Sequence, residues 1–166
     1  MFRFLLFPTI LAVSSFGVLC LAQLNGEALK FKLAAVNLPN LDLDGPSDPY
    51  VKLYTATQGQ GERHTDWQKF GQTSVKPNTL NPVWDEVFVY RYMNGTNQRW
   101  RFLVKDLDNT WLNPIDDHLG RVEMNVDDYM FQLKSSKQNG TQNLKYIQMF
   151  LTHPIGGALL VTPVFE

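Results

Sequence analysis

The chain has 166 residues, is 44% hydrophobic, and carries a formal net charge of −1 from 15 basic and 16 acidic side chains. That length leaves room for one ordinary domain with its own core, and the composition excludes a disordered chain. Near-neutrality excludes the basic excess that a binder of nucleic-acid backbone normally carries.

The N-terminus reads as a targeting segment. Arg3 supplies a positive start, Leu5 to Leu21 is almost wholly apolar, and Cys20-Leu21-Ala22 places small residues before Gln23. The pattern predicts a secretory signal over 1–22, followed by a mature domain over 23–166 delivered to the outside. The alternative is an uncleaved signal anchor that holds the domain on the lumenal side, because the apolar run approaches bilayer-spanning length. Cys20 is the only cysteine and leaves with the signal. The mature domain then relies on its core, or on bound metal, for stability.

Leu29, Phe31, Leu33 and Ala35 alternate with Lys30, Lys32, Ala34 and Val36, the pattern of a strand with one face inward. An acidic, Pro/Gly-broken loop follows, and a second strand begins at Pro49-Tyr50-Val51. The polar run around 57–66 predicts a loop, Trp67 to Val75 a third strand, 76–82 a break, and Val83 to Tyr92 a fourth strand rich in aromatic and β-branched residues. Asn94-Gly95 signals a hairpin, after which Trp100, Phe102 and Val104 alternate with charged neighbours into Asp106. Beyond a second acidic loop, Gly120 to Val126 alternates again, and 127–134 predicts a short helix capped by Asp127. Asn139-Gly140 marks another turn, and Leu144 to Leu151 and Ala158 to Phe165 supply the last strands. About eight strands without a long helix predict an all-β antiparallel sandwich.

The acids are unevenly placed. Asp42, Asp44, Asp48, Asp106, Asp108, Asp116 and Asp117 are 7 of the 16, gathered in two loops. Crowded carboxylates repel one another unless a hard cation compensates them. With no thiol in the mature chain and with His64, His118 and His153 scattered, the donors suit calcium better than zinc. The spacing is not that of an EF-hand. Asp106 and Asp108 share parity at a strand end, so both lean toward one point while Leu107 faces away. The competing reading is that the acids decorate solvated turns.

Four blocks occur in order: Leu38-Pro39-Asn40-Leu41-Asp42 running on to Ser47-Asp48-Pro49-Tyr50-Val51, Thr79-Leu80-Asn81-Pro82-Val83-Trp84-Asp85-Glu86, Val104-Lys105-Asp106-Leu107-Asp108, and Asp117-His118-Leu119-Gly120. Together they resemble the C2 domain, the lipid-binding sandwich found in synaptotagmins and classical protein kinase C. The resemblance covers essentially Leu29 to Phe165. It implies that Asp42, Asp48, Asp106, Asp108 and Asp117 hold one or two Ca2+ ions and that the domain docks on anionic phospholipid. Here the third loop is longer than usual, which leaves the last ligand open between Asp116 and Asp117, with Asp117 keeping the family spacing to Gly120. Asp44 is an extra acid beside the site. A first strand leading straight into the acidic loop, together with an extra last strand, resembles the permuted topology of phospholipase C type, which puts both ends of the domain away from the calcium loops.

Leu43, Trp111 and Leu112 are candidates for membrane insertion, with Ile155 a weaker one, while Lys52, Lys69 and Lys76 read as sparse, solvated positions. Asn94-Gly95-Thr96 and Asn139-Gly140-Thr141 fit the N-glycosylation pattern; strand counting puts both opposite the calcium loops. No nucleophile elbow or phosphate-cradling glycine loop is present, so an enzyme is not expected. A calcium-stabilised extracellular module that binds protein or glycan, without membrane docking, is the alternative. A monomer is expected.

Overall fold

Strand alternation is laid down along the first described segment. β1 (Glu27–Val36) turns Leu29, Phe31, Leu33 and Ala35 inward, as its period of two requires. The computed structural model describes residues 26–42, 45–57, 66–108, 116–138, 144–154 and 156–165. Within them follow β2 (Pro49–Thr57), β3 (Gln68–Gln72), β4 (Phe88–Tyr92), β5 (Gln98–Asp106), β6 (His118–Asn125), helix α1 (Val126–Gln138), β7 (Ile147–Phe150) and β8 (Ala158–Pro163).

They form two four-stranded sheets, ordered β4-β1-β8-β7 and β3-β2-β5-β6, with every pairing antiparallel. This is an all-β sandwich in the permuted order expected above. β8 lies beside β1, with Ala158 opposite Val36 and Pro163 opposite Phe31. The start of β1 and the end of β8 therefore share one pole, and the two acidic loops share the other.

One core joins the sheets. Trp100 lies at its centre, with ring centroids 4.9 Å from Phe31, 5.0 Å from Tyr129 and 5.1 Å from Tyr90. Tyr129 comes from α1, so the helix closes the pole opposite the acidic loops with an aromatic plug.

Several predicted boundaries need correction. β4 begins at Phe88, not Val83. Val83 does bridge to Ala34, and the Trp84 amide donates to Leu33 O at 3.0 Å. The chain then leaves the ladder as the indole turns into the core, its Nε1–H donating to Ser74 O at 2.9 Å. β3 stops at Gln72, and β7 has only 4 residues. β8 ends at Pro163, which brings no N–H to a ladder. The helix runs for 13 residues from Val126, and its cap is Asn125, not Asp127. Asn125 Oδ1 accepts the Asp127 amide at 2.8 Å, which satisfies one of the orphan donors of the first turn. The Asp127 carboxylate instead accepts the Tyr92 hydroxyl at 2.5 Å.

Candidate metal centre

The alternation that builds the core also delivers the first carboxylate. Along β5, Gln98, Trp100, Phe102, Val104 and Asp106 all face inward. Asp106 is therefore only 1% exposed, directly beyond the apolar run of Trp100, Phe102 and Val104. Its Oδ1 accepts the Asp48 amide at 2.6 Å, while its Oδ2 is buried without a hydrogen-bond partner. An ionised oxygen in that position is costly unless a cation answers it.

The loops are tied to one another around this group. Leu107 N–H donates to Asp48 O at 3.1 Å, and Asp106 N–H donates to Asp117 O at 3.0 Å. Asp117 N–H donates to Asp108 Oδ2 at 3.2 Å. From the loop over 76–82, Asn78 N–H donates to Asp48 Oδ1 at 2.7 Å. Asn78 reaches this position with φ of 53°, a left-handed conformation that asparagine tolerates. Strand counting puts this loop at the acidic end, but the bond from Asn78 has no signal in the sequence.

Electrostatics place Asp42 with the same group. Burial raises its pKa, and so do the charges of Asp106, Asp108, Asp48 and Asp117. Asp108 is raised by burial and by Asp117, Asp106 and Asp116, against the opposing hydrogen bond from the Asp117 amide. Five carboxylates thus converge on one pole and repel one another. Among the described residues no three of these groups, with histidines counted, close into a ready-made coordination shell. All the donors are oxygens, and together with the partnerless Asp106 Oδ2 they fit a hard cation and not zinc.

Asp116 and Asp117 part company. The Asp116 carboxylate accepts the Tyr50 hydroxyl, and its carbonyl accepts the Lys105 ammonium. Burial, and then this hydrogen bond, push the Tyr50 phenol up and keep it protonated. Asp44, Leu43, Trp111, Leu112, Ile155, Asn139 and the segment over 1–22 lie outside the described residues. Asn94 is exposed at the far pole, where its Oδ1 accepts the Tyr92 hydroxyl at 3.1 Å.

The sparse lysines have unforeseen company. Lys52 on β2 shares the outer face of its sheet with Arg99, Arg101 and Lys105 on β5, since each alternates with an inward residue. Arg101 pairs with Glu123 at 2.7 Å and stacks 3.8 Å from the Trp67 ring centroid. The signal was present as the period-two run of Arg99, Arg101 and Lys105. Lys76 lies elsewhere, 4.0 Å from Asp85.

Comparison with known proteins agrees with this fold. The family profile described as "C2 domain" matches residues 31–144. Synaptotagmin-9 of Rattus norvegicus is 41% identical over 76 residues, a match covering 45% of this chain and 14% of that protein's length. Among solved structures, a C2 domain of plant extended synaptotagmin 1 superposes with a TM-score of 0.54 at 22% identity, covering 86% of this chain and 98% of that one. The calcium-bound pair of C2 domains from extended synaptotagmin 2 gives 0.53 at 20% identity, covering 84% and 45%. At these identities the structures speak for the fold alone.

Proposed function

The chain belongs to the C2 domain family, and on that premise we propose that it is a secreted, non-enzymatic module that binds calcium at its acidic pole and docks there on anionic phospholipid. The observation that carries the reading is the buried Asp106 Oδ2, left without a partner where three loops converge. Asp42, Asp48, Asp106, Asp108 and Asp117 would hold one or two Ca2+ ions. Bound calcium would cancel their charge and offer open coordination positions to lipid phosphate or carboxylate oxygens.

The protein's own residues set the terms of docking. Without the ion, the clustered aspartates repel an anionic surface. Leu43, Trp111 and Leu112, on the acidic loops, would enter the interface once that repulsion is removed. Lys52 and Lys105, on the outer face of β2 and β5, add positive charge close to the same pole. Secretion is supported by Arg3 and the apolar run ahead of Gln23. Extracellular modules bind calcium with dissociation constants of about 10⁻⁴ to 10⁻³ M, so the ion would be a standing cofactor and not a trigger. Glycans on Asn94 and Asn139 would sit clear of the docking surface. Enzymatic deglycosylation of the secreted protein should shift its mobility on a gel.

Co-sedimentation with phosphatidylserine vesicles and with neutral vesicles, across a calcium titration to millimolar levels, tests the proposal. Calcium-dependent pelleting with the anionic vesicles alone is expected. A protein stabilised by calcium that pellets with neither would overturn lipid docking and point to a protein or glycan partner. No response of either kind would remove the metal site as well.

A further inference from the structure

We infer that Asp116 is a positioning residue of the acidic pole, clasped by Tyr50 and Lys105 so that the chain delivers Asp117 to its place beside Asp106 and Asp108. The inference deepens the proposed calcium site and rests on it.

Tyr50 and Lys105 are register partners on β2 and β5. Their neighbours Val51 and Val104 are fully buried in the core, so Tyr50 and Lys105 stand on the opposite, outer face of the sheet. Asp116 meets both of them. Its carboxylate accepts the phenol hydroxyl and its main-chain carbonyl accepts the lysine ammonium. A side chain and a backbone group of one residue are thereby fixed to two strands.

Asp117 is the next residue, and it carries two contacts into the acidic group. Its carbonyl receives the Asp106 amide at 3.0 Å, and its amide donates to Asp108 Oδ2 at 3.2 Å. Asp117 acts on both Asp42 and Asp108 by charge, Asp116 on Asp108 alone and more weakly than Asp117, and the Asp116 carboxylate is taken by Tyr50. The clasp thus connects the outer face of β2–β5 to two of the proposed ligands through one peptide unit. Groups that orient ligands from behind typically govern metal affinity by about 10- to 100-fold.

Calorimetric calcium titration of the purified protein, expressed from the full sequence, tests this with Tyr50→Phe, Asp116→Ala, Asp116→Asn and the double variant Tyr50→Phe/Asp116→Ala. Tyr50→Phe and Asp116→Ala should each weaken calcium binding about tenfold, with melting temperatures in chelator close to wild type. The double variant should be no weaker than the poorer single one, because both changes open the same clasp. Asp116→Asn keeps an acceptor oxygen for the Tyr50 hydroxyl and should restore affinity to within about threefold of wild type. Two results would overturn the inference. In one, Asp116→Asn is as damaging as Asp116→Ala while Tyr50→Phe has no effect, which would make Asp116 a ligand. In the other, the variants lower the melting temperature in chelator and leave calcium affinity alone, which would make the clasp a strut of the fold only. A folded wild type that takes no calcium would instead defeat the proposed function itself, and Asp106→Asn marks that baseline.

Discussion

The Asp48 amide donates to Asp106 Oδ1 at 2.6 Å across 58 residues of sequence, and it leaves the other oxygen of the same carboxylate buried with nothing to bind. One oxygen holds two loops together, and the other is free for a cation. Asparagine at position 106 retains an acceptor for the Asp48 amide but removes the charge. Asp106→Asn should therefore fold and lose its response to calcium. For the wild type, about 1 mM calcium, at about 1 to 10 times the dissociation constant, contributes about 0.4 to 1.4 kcal/mol. That corresponds to a rise in melting temperature of about 1–6 °C. Differential scanning fluorimetry with and without chelator should show the rise in the wild type and none in Asp106→Asn.

The raised pKa values of Asp42 and Asp108 give the acid limb a definite sign. Burial and neighbouring charges lift both above the ordinary carboxylate value. A carboxyl whose pKa is higher folded than unfolded binds its proton more tightly in the native state. Its contribution to stability is full below the unfolded pKa and is lost as pH rises through the folded one. In chelator at neutral pH the pole is thus under repulsion. Asp42→Asn or Asp108→Asn should raise the melting temperature there, and the gain should shrink toward pH 4 as the wild-type groups take up protons. Equal stability of variant and wild type at both pH values would show that the repulsion is negligible.

Trp111→Ala isolates insertion from calcium bridging. If the indole buries about 100 Å² in the interface at ~25 cal/mol per Å², its loss costs about 2.5 kcal/mol, somewhat under a hundredfold in vesicle affinity. Calcium affinity without lipid should not change. Vesicle affinity equal to wild type would show that Trp111 stays off the membrane.

The core should be most sensitive at Phe31. Its ring lies 4.9 Å from Trp100 and 5.7 Å from Phe88, and the residue is fully buried. Phe31→Ala should remove about 3–5 kcal/mol in urea denaturation. A loss below about 1 kcal/mol would mean that the aromatic cluster repacks around the gap.

Asn125 and Asp127 can be separated by the same measurement. Asn125→Ala removes the helix cap and should cost about 1 kcal/mol. No loss from Asn125→Ala would take the cap away from Asn125, whereas a loss from Asp127→Ala is expected from its bond to the Tyr92 hydroxyl without any capping role.

Much of this was readable in the residues. Period-two alternation placed β1, β5 and β6, composition and turn signals placed the other five strands, and the parity of β5 ran on to Asp106 and Asp108. Counting strand reversals put Asn94 at the pole away from the acids. The strand ends were harder, since the residues over 83–87 are as strand-like as those of β4 and only the bulk of Trp84, filling the core, pulls them out of the ladder. The cap was misjudged because Asn125 and Asp127 are both good capping residues two positions apart, and β6 runs into α1 without a break. Spacing to Gly120 already favoured Asp117 over Asp116, but what Asp116 does instead was out of reach for a different reason. It depends on Tyr50, 66 residues earlier, and no local spacing contains that contact.

The register of β2 on β5 sets Pro49 opposite Asp106 and Tyr50 opposite Lys105. A slip of one residue would reverse every side chain of β5, sending Asp106 outward and Lys105 toward the hydrophobic interior. In that misaligned chain the acidic pole would not assemble, so an ion that binds at the pole would favour the correct alignment over its nearest competitor. Calcium would then act as a proofreader of strand pairing, long before any membrane is met.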